Sequence, residues 1–306
     1  MRVAVIGAGG AGGYFAARWV EAGKDVVLLA RGHHLDRIRG EGLRLESPLG
    51  DATVSVEASD DPRVLEGSDV VIFATKTWQL PDALDAAAPH VSSTALVFGL
   101  QNGVQSVDLL GTAYPKDNVL GGTCRIISYI KEPGMIHHVG IPPTVIFGEP
   151  AGGISVRARE VASALDVQGT ASVIASDEIA VELWKKFTFF AAVSGVGSVT
   201  RSPIGVFRRV PRTRTLLSDA VHEVAAVGRA LGVDLPPDAA AAALSFIDQL
   251  PEDGTSSMQR DFESGRRTEL EALSGYISRV GAEVDVPTPA HDFMYASLLP
   301  LASGPF

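Results

Sequence analysis

Two hydrophobic rhythms divide this chain. Over the first 175 residues, short unbroken apolar runs alternate with glycine- and proline-marked turns and with helical stretches. The clearest runs are 1–6, 25–30, 69–74 and 95–100. Runs with no polar alternation suit parallel strands covered on both faces. A helical pattern fills the gap up to Gly23, and another runs from Trp78 to Pro89. Further on, short strands are expected at 119–123, 134–139 and 144–148, a helix at 156–165, and a last strand at 171–175. From Asp177 the period becomes helical, over 177–198, 212–231, 236–249, 257–282 and 287–298. Gly232, Pro236-Pro237, the run Pro251-Glu252-Asp253-Gly254 and Pro287 punctuate these stretches. The expectation is an α/β chain: a doubly wound parallel sheet over 1–175, then an all-α domain over 176–306.

The first unit carries a turn with chemical meaning. Gly7-Ala8-Gly9-Gly10-Ala11-Gly12 follows the first apolar strand directly and opens the first helix. A G-x-G-x-x-G in that context is the fingerprint of a Rossmann-type dinucleotide site. Gly7 permits the tight turn, Gly9 lets the backbone approach a pyrophosphate, and Gly12 lets the helix pack close to its strand. The helix N-terminus then offers free N–H groups to the phosphates. The second strand ends in Leu28-Leu29-Ala30-Arg31, without the acid that would accept from a ribose 2′-hydroxyl. Arg31 suits a 2′-phosphate instead, which favours NADP. The alternative is an ordinary surface arginine in a basic loop with His33, His34, Arg37 and Arg39.

Composition narrows the classes. The 306 residues are 46% apolar and 20% charged, as in an ordinary globular protein. A net charge of −10 argues against a nucleic-acid or anionic-membrane surface. No apolar run has the length of a membrane span, and with the first strand beginning at once no signal peptide is expected. Cys124 stands alone, so no intrachain disulfide is available and a cytoplasmic location is expected. The adjacent pairs His33-His34 and His137-His138 point apart, so no metal site is expected. The partner left is a small molecule, and a second copy of the chain is the one macromolecular partner that stays open.

Candidate chemistry gathers in three places. Thr75-Lys76-Thr77 and Gln101-Asn102-Gly103 follow the third and fourth parallel strands, where open sheets of this kind bind ligands. Lys76 suits a phosphate or ribose, and the Asn102 amide suits both cofactor and substrate; a solvated lysine and a plain turn pair are the alternatives. In the helix from 177, steps of about 100° place Leu183, Phe187, Phe190, Ala191 and Ser194 on one face. Lys185 points away from that face and Lys186 sits at its edge. Partial desolvation there suits a general acid, although Lys186 is also spaced to pair with Glu182. The third place holds Ser256, Ser257 and Glu269. Either serine suits a helix cap, and Glu269 among arginines reads as a plain surface charge.

Taken together, these segments resemble the ketopantoate reductase (2-dehydropantoate 2-reductase) family. The likeness spans nearly the whole chain: the glycine turn, Ala30-Arg31, Lys76-Thr77-Trp78-Gln79, Gln101-Asn102-Gly103, Trp184-x-Lys186, Ser256-Ser257-Met258 and Thr268-Glu269. It implies NADPH-dependent reduction of a 2-oxo acid to a 2-hydroxy acid, as ketopantoate to pantoate in pantothenate biosynthesis. It implies that Lys186 is the general acid and that Glu269 touches the cofactor ribose and the lysine. Asn102 would then contact cofactor and substrate, Ser257 the substrate carboxylate, and Arg31 and Lys76 the 2′-phosphate. The family's substrate asparagines are replaced here by Phe190, Ser194 and Ile204. Phenyl and sec-butyl groups remove donors and line the pocket with apolar surface, while Ser194 keeps a hydroxyl for the substrate. Two other readings therefore stand beside the first: a family reductase acting on a different, more apolar 2-oxo acid, and a catalytically silent NADPH-binding regulator.

Overall fold

The computed structural model describes residues 1–302. Its first compact unit comprises Met1–Gln101 and Gln105–Ile179, and the second comprises Asn102–Val104 and the chain from Ala180 onward. The change thus falls four residues beyond the expected 175/176 boundary.

In chain order, the first unit runs β1 (Arg2–Ile6), α1 (Gly10–Glu21), β2 (Asp25–Leu29), α2 (Gly32–Glu41), β3 (Leu43–Glu46), β4 (Ala52–Val54) and β5 (Glu57–Ser59). It continues with β6 (Val70–Phe73), α3 (Leu80–Ala87), β7 (Leu96–Gly99), α4 (Ser106–Ala113), β8 (Gly121–Glu132), β9 (Met135–Gly148), α5 (Val156–Leu165) and β10 (Ser172–Ala175). Sheet order β5-β2-β1-β6-β7 is parallel throughout. The order reverses beside β1, which is where such sheets bind ligands. Alternate residues of each strand serve opposite faces. Ala4, Ile6, Val71, Phe73 and Val97 pack with Leu80, Leu84 and Leu110 of α3 and α4. Val3, Val5, Ile72 and Phe98 pack on the other face with Phe15 and Trp19 of α1.

A second, mixed sheet of order β10-β9-β3-β4, with β8 beside β9, covers α1 from outside. Here the expectation of short separate strands at 119–123, 134–139 and 144–148 is corrected. They fuse into one long antiparallel hairpin, β8–β9, turning at Pro133-Gly134. Its ladder shifts register at Gly140-Ile141-Pro142-Pro143, between the pairs Arg125–Thr144 and Ile127–Val139, and the strand resumes beyond them. Phe98 and Phe147 stack at 5.0 Å between the two sheets. The basic loop expected at 31–39 is likewise a helix, α2, buried through Leu35 and Ile38 alone.

The second unit is helical: α6 (Ile179–Thr200), α7 (Ile204–Phe207), α8 (Pro211–Ala230), α9 (Ala239–Gln249), α10 (Ser257–Glu263), α11 (Ser274–Glu283) and α12 (Pro289–Leu298). The single helix expected over 257–282 is two. Gly265 adopts φ +61°, Gly265 N–H donates to Phe262 and Arg266 N–H to Asp261, the paired bonds that stop a helix at a left-handed glycine. Residues 191–198 of α6 are buried on every side, so this helix is the central rod of its unit rather than a one-faced one. No helix among the described residues is long and apolar enough to cross a membrane.

Candidate active site

The glycine turn has the geometry its sequence implies. Gly7 sits at φ +99°, and a Cβ on Gly12 would overlap the Gly7 carbonyl oxygen and stand 2.8 Å from Ala74 Cβ. At Gly9 a Cβ would meet nothing within 4 Å, so the approach to its backbone is open. The first intrahelical bond is Gly13 N–H to Gly9 carbonyl, which leaves the N–H groups of Gly10, Ala11 and Gly12 without helical partners. The first turn of α1 carries no acid. Open space, unpaired donors and no opposing charge fit a dinucleotide diphosphate along Gly7–Gly12.

Arg31 begins α2 with its side chain exposed and makes no ion pair among the described residues. Just past the end of neighbouring β5, Asp60 pairs with Arg39 at 3.2 Å, and Arg39 also donates to the Ala58 carbonyl at 3.0 Å. Lys76 is half-buried at the head of a 3-10 turn, where its backbone N–H donates to the Gln79 side chain at 3.2 Å. Two contacts at these strand ends and turns leave no mark in the sequence. Gln101 is buried and donates to the Phe73 carbonyl at 3.0 Å, tying the ends of β6 and β7. His34 lies 2.8 Å from the Ala8 carbonyl oxygen inside the glycine turn.

The second unit brings Asn102 and Glu269 together: Asn102 Nδ2 donates to Glu269 Oε2 at 3.1 Å. Glu269 is 2% exposed, so it is not the surface charge its arginine-rich neighbourhood suggests. The helix stop at Gly265 is what frees this stretch to turn inward. Asn102-Gly103 is also a turn pair, with Gly103 at φ +97°. The turn-pair reading of that dipeptide therefore holds, and it leaves the Asn102 amide turned to Glu269.

On α6, Lys185 pairs with Glu182 at 3.2 Å and is 40% exposed. Lys186 is half-buried, with Nζ 5.8 Å from the centroid of the Phe190 ring one turn on. Thr188 and Thr200 return their hydroxyls to the carbonyls of Trp184 and Val196, each at 2.7 Å. Ser194 does not: its hydroxyl is fully buried and has no hydrogen-bond partner among the described residues. Ser256 caps α10 by accepting from Gln259 N–H at 3.0 Å, so Ser257 is not needed as the cap. Ile204 packs into the core of the helical unit. No metal-binding cluster occurs among the described residues.

Comparison with known proteins identifies the family. The family model described as Ketopantoate reductase PanE/ApbA matches residues 3–152, and its C-terminal companion matches 178–301. A 2-dehydropantoate 2-reductase of Mesorhizobium japonicum is 30% identical over 323 aligned positions, covering 99% of this chain and 98% of that one. The crystal structure of a PanE/ApbA family ketopantoate reductase from Ralstonia eutropha superposes with a TM-score of 0.90 at 31% identity, covering 99% and 98%. A D-mandelate dehydrogenase, solved with NADH and anilino(oxo)acetate, superposes at 0.89 with 22% identity over 99% and 98%, a likeness of fold alone.

Proposed function

The chain belongs to the ketopantoate reductase family of oxidoreductases acting on CH–OH groups, and from that premise we propose that it reduces a 2-oxo acid with an apolar tail, using NADPH. Gly7 to Gly12 hold the diphosphate through backbone N–H groups, and Arg31 and Lys76 hold the 2′-phosphate. The bound dinucleotide supplies the hydride for the C2 carbonyl carbon. Lys186 holds the proton for the carbonyl oxygen; as the C=O π bond opens, Nζ–H breaks and O–H forms. The neutral amine then regains a proton from solvent. An ammonium beside the oxygen also stabilises the charge developing there. Glu269 engages one face of the Asn102 amide, leaving Oδ1 and a second N–H for ribose and substrate. Ser257, on the first turn of α10, accommodates the substrate carboxylate.

Phe190 carries the substrate reading. It presents a phenyl ring beside Lys186 at a position where the family pattern has an amide. A substrate hydroxyl placed against that ring would lose its partner, at a cost of about 1–3 kcal/mol. Ser194 offers one buried hydroxyl in compensation. The fold leaves the choice open, since a D-mandelate dehydrogenase shares it. The test is kcat/KM for ketopantoate and for a panel of short branched-chain and aryl 2-oxo acids, with NADPH and NADH. Apolar acids should be turned over at least as well as ketopantoate. Efficient, selective ketopantoate turnover would refute the substrate reading, and dinucleotide binding without turnover of any 2-oxo acid would favour the silent regulator.

A further inference from the structure

His34 stands on the first turn of α2 and joins three separate segments. Its Nε2 lies 2.8 Å from the Ala8 carbonyl oxygen, and its Nδ1 lies 2.9 Å from the Gly134 backbone nitrogen in the β8–β9 turn. A backbone amide has only a proton to offer, so Nδ1 must accept. The single proton of the neutral ring then sits on Nε2, which donates to Ala8. The surroundings thus select one neutral tautomer. A protonated ring would present Nδ1–H to Gly134 N–H, donor against donor.

The bond to Ala8 sets the direction of the next amide. In a planar trans peptide, C=O and N–H point opposite ways. Holding the Ala8 carbonyl toward His34 therefore aims Gly9 N–H the other way. Gly9 N–H has no backbone partner among the described residues. From the other side, a Cβ on Gly13 would lie 3.1 Å from the Ala8 oxygen, so α1 also confines this peptide.

We propose that His34 is a positioning residue for the dinucleotide diphosphate: through Ala8 it holds Gly9 N–H in its binding orientation, and the Gly134 N–H seats the ring for that contact only while Nδ1 carries no proton. This rests on the reading that the glycine turn binds a dinucleotide. Burial pushes the ring below the ordinary histidine value, opposed by the Ala8 bond, so it is neutral at pH 7. Charged neighbours on the packed elements are otherwise engaged. Arg37 pairs with Glu41, Arg44 with Glu132, Lys131 with Glu46, and His33 faces Asp36 at 4.0 Å. Arg31 is exposed, and the Gly7–Gly9 turn holds no titratable side chain.

The experiment measures calorimetric affinity for oxidised NADP, from about pH 8 to about pH 5, in the parent protein, H34Q and H34A. The Gln amide can donate to Ala8 but does not titrate. Parent affinity should fall towards acid pH by about two- to tenfold, the worth of one neutral hydrogen bond. H34A should be weaker by the same factor throughout. H34Q should stay close to the parent's neutral-pH affinity and follow only the ligand's own 2′-phosphate titration near pH 6. The parent-minus-H34Q difference is thus free of that titration, and H34Q carries the test if H34A fails to fold. A parent that binds more tightly in acid while H34Q does not would make His34 a cationic phosphate contact and overturn the proposal. Identical parent and H34Q profiles would overturn it alone. A parent that binds no dinucleotide at neutral pH would overturn the underlying reading as well.

Discussion

Lys185 and Lys186 are adjacent, equally charged and on one helix, so replacing each by alanine asks a question with an internal control. Lys185 is 40% exposed and pairs with Glu182 three residues earlier. Such a pair contributes about 0.3–0.5 kcal/mol, less in salt, so Lys185→Ala should leave kcat, KM and folding nearly unchanged. Lys186 is turned a further 100° or so round the helix and lies against the Phe190 ring. That contact contributes about 0.5–1 kcal/mol to holding the ammonium in place. Its loss alone would cost little. Removing a general acid costs about 10²- to 10⁴-fold, or roughly 3–5 kcal/mol of transition-state stabilisation. Lys186→Ala should therefore lose kcat by that factor while dinucleotide affinity, measured by fluorescence titration, stays within a few-fold. Lys186→Arg keeps a charge but cannot release its proton, and should be nearly as inactive. The assay is steady-state loss of the reduced nicotinamide absorbance, with a melting curve for each variant. A damaging Lys185→Ala beside a silent Lys186→Ala would refute the reasoning, helical register included.

Other outcomes follow from the same geometry. Arg31→Ala should weaken NADPH binding by about 1.5–3 kcal/mol and barely change NADH, because only one carries the 2′-phosphate; equal losses would remove Arg31 from that role. Phe190→Asn should raise the ketopantoate-to-apolar ratio of kcat/KM by about fivefold or more, a partial return because Ser194 or a water already supplies one bond; an unchanged ratio would clear Phe190. His291 is fully buried, and desolvation holds its pKa down at about 4 against 6.5 when unfolded. The unfolded chain therefore binds a proton first, so stability is complete above about pH 6.5 and declines by up to roughly 3 kcal/mol as pH falls to 4. Urea denaturation of parent and His291→Gln at neutral and acid pH checks this, the variant showing the shallower decline.

Legibility in the sequence followed the strength of the local signal. The parallel strands were plain because burial on both faces makes them apolar without interruption, and the glycine turn because three backbone constraints coincide within six residues. Helix α2 was hidden because only Leu35 and Ile38 of its ten residues are buried, too few to establish a period. The β8–β9 hairpin was hidden by Gly140 and two prolines, which signal turns locally and are accommodated as a register shift with paired strand on either side. Within the candidate site, the lysine register could be worked out from helix geometry. Burial of Glu269 could not, since nothing in Arg266-Arg267-Thr268-Glu269 shows that the chain turns inward there; Gly265 was the one available sign. The bond from His34 to Ala8 joins residues 26 apart and leaves no local trace.

Helix α6 separates chemistry from taste. Lys186, Phe190 and Ser194 recur every four residues on a rod whose far end is encased on all sides. Each interval advances about 6 Å along the axis. On the proposed reading the proton donor occupies the first rung, and the next two are recognition rungs about one turn and two turns away. On that reading an exchange at 194 changes which tail fits without touching the lysine, whereas one at 190 also removes the ring beside its ammonium.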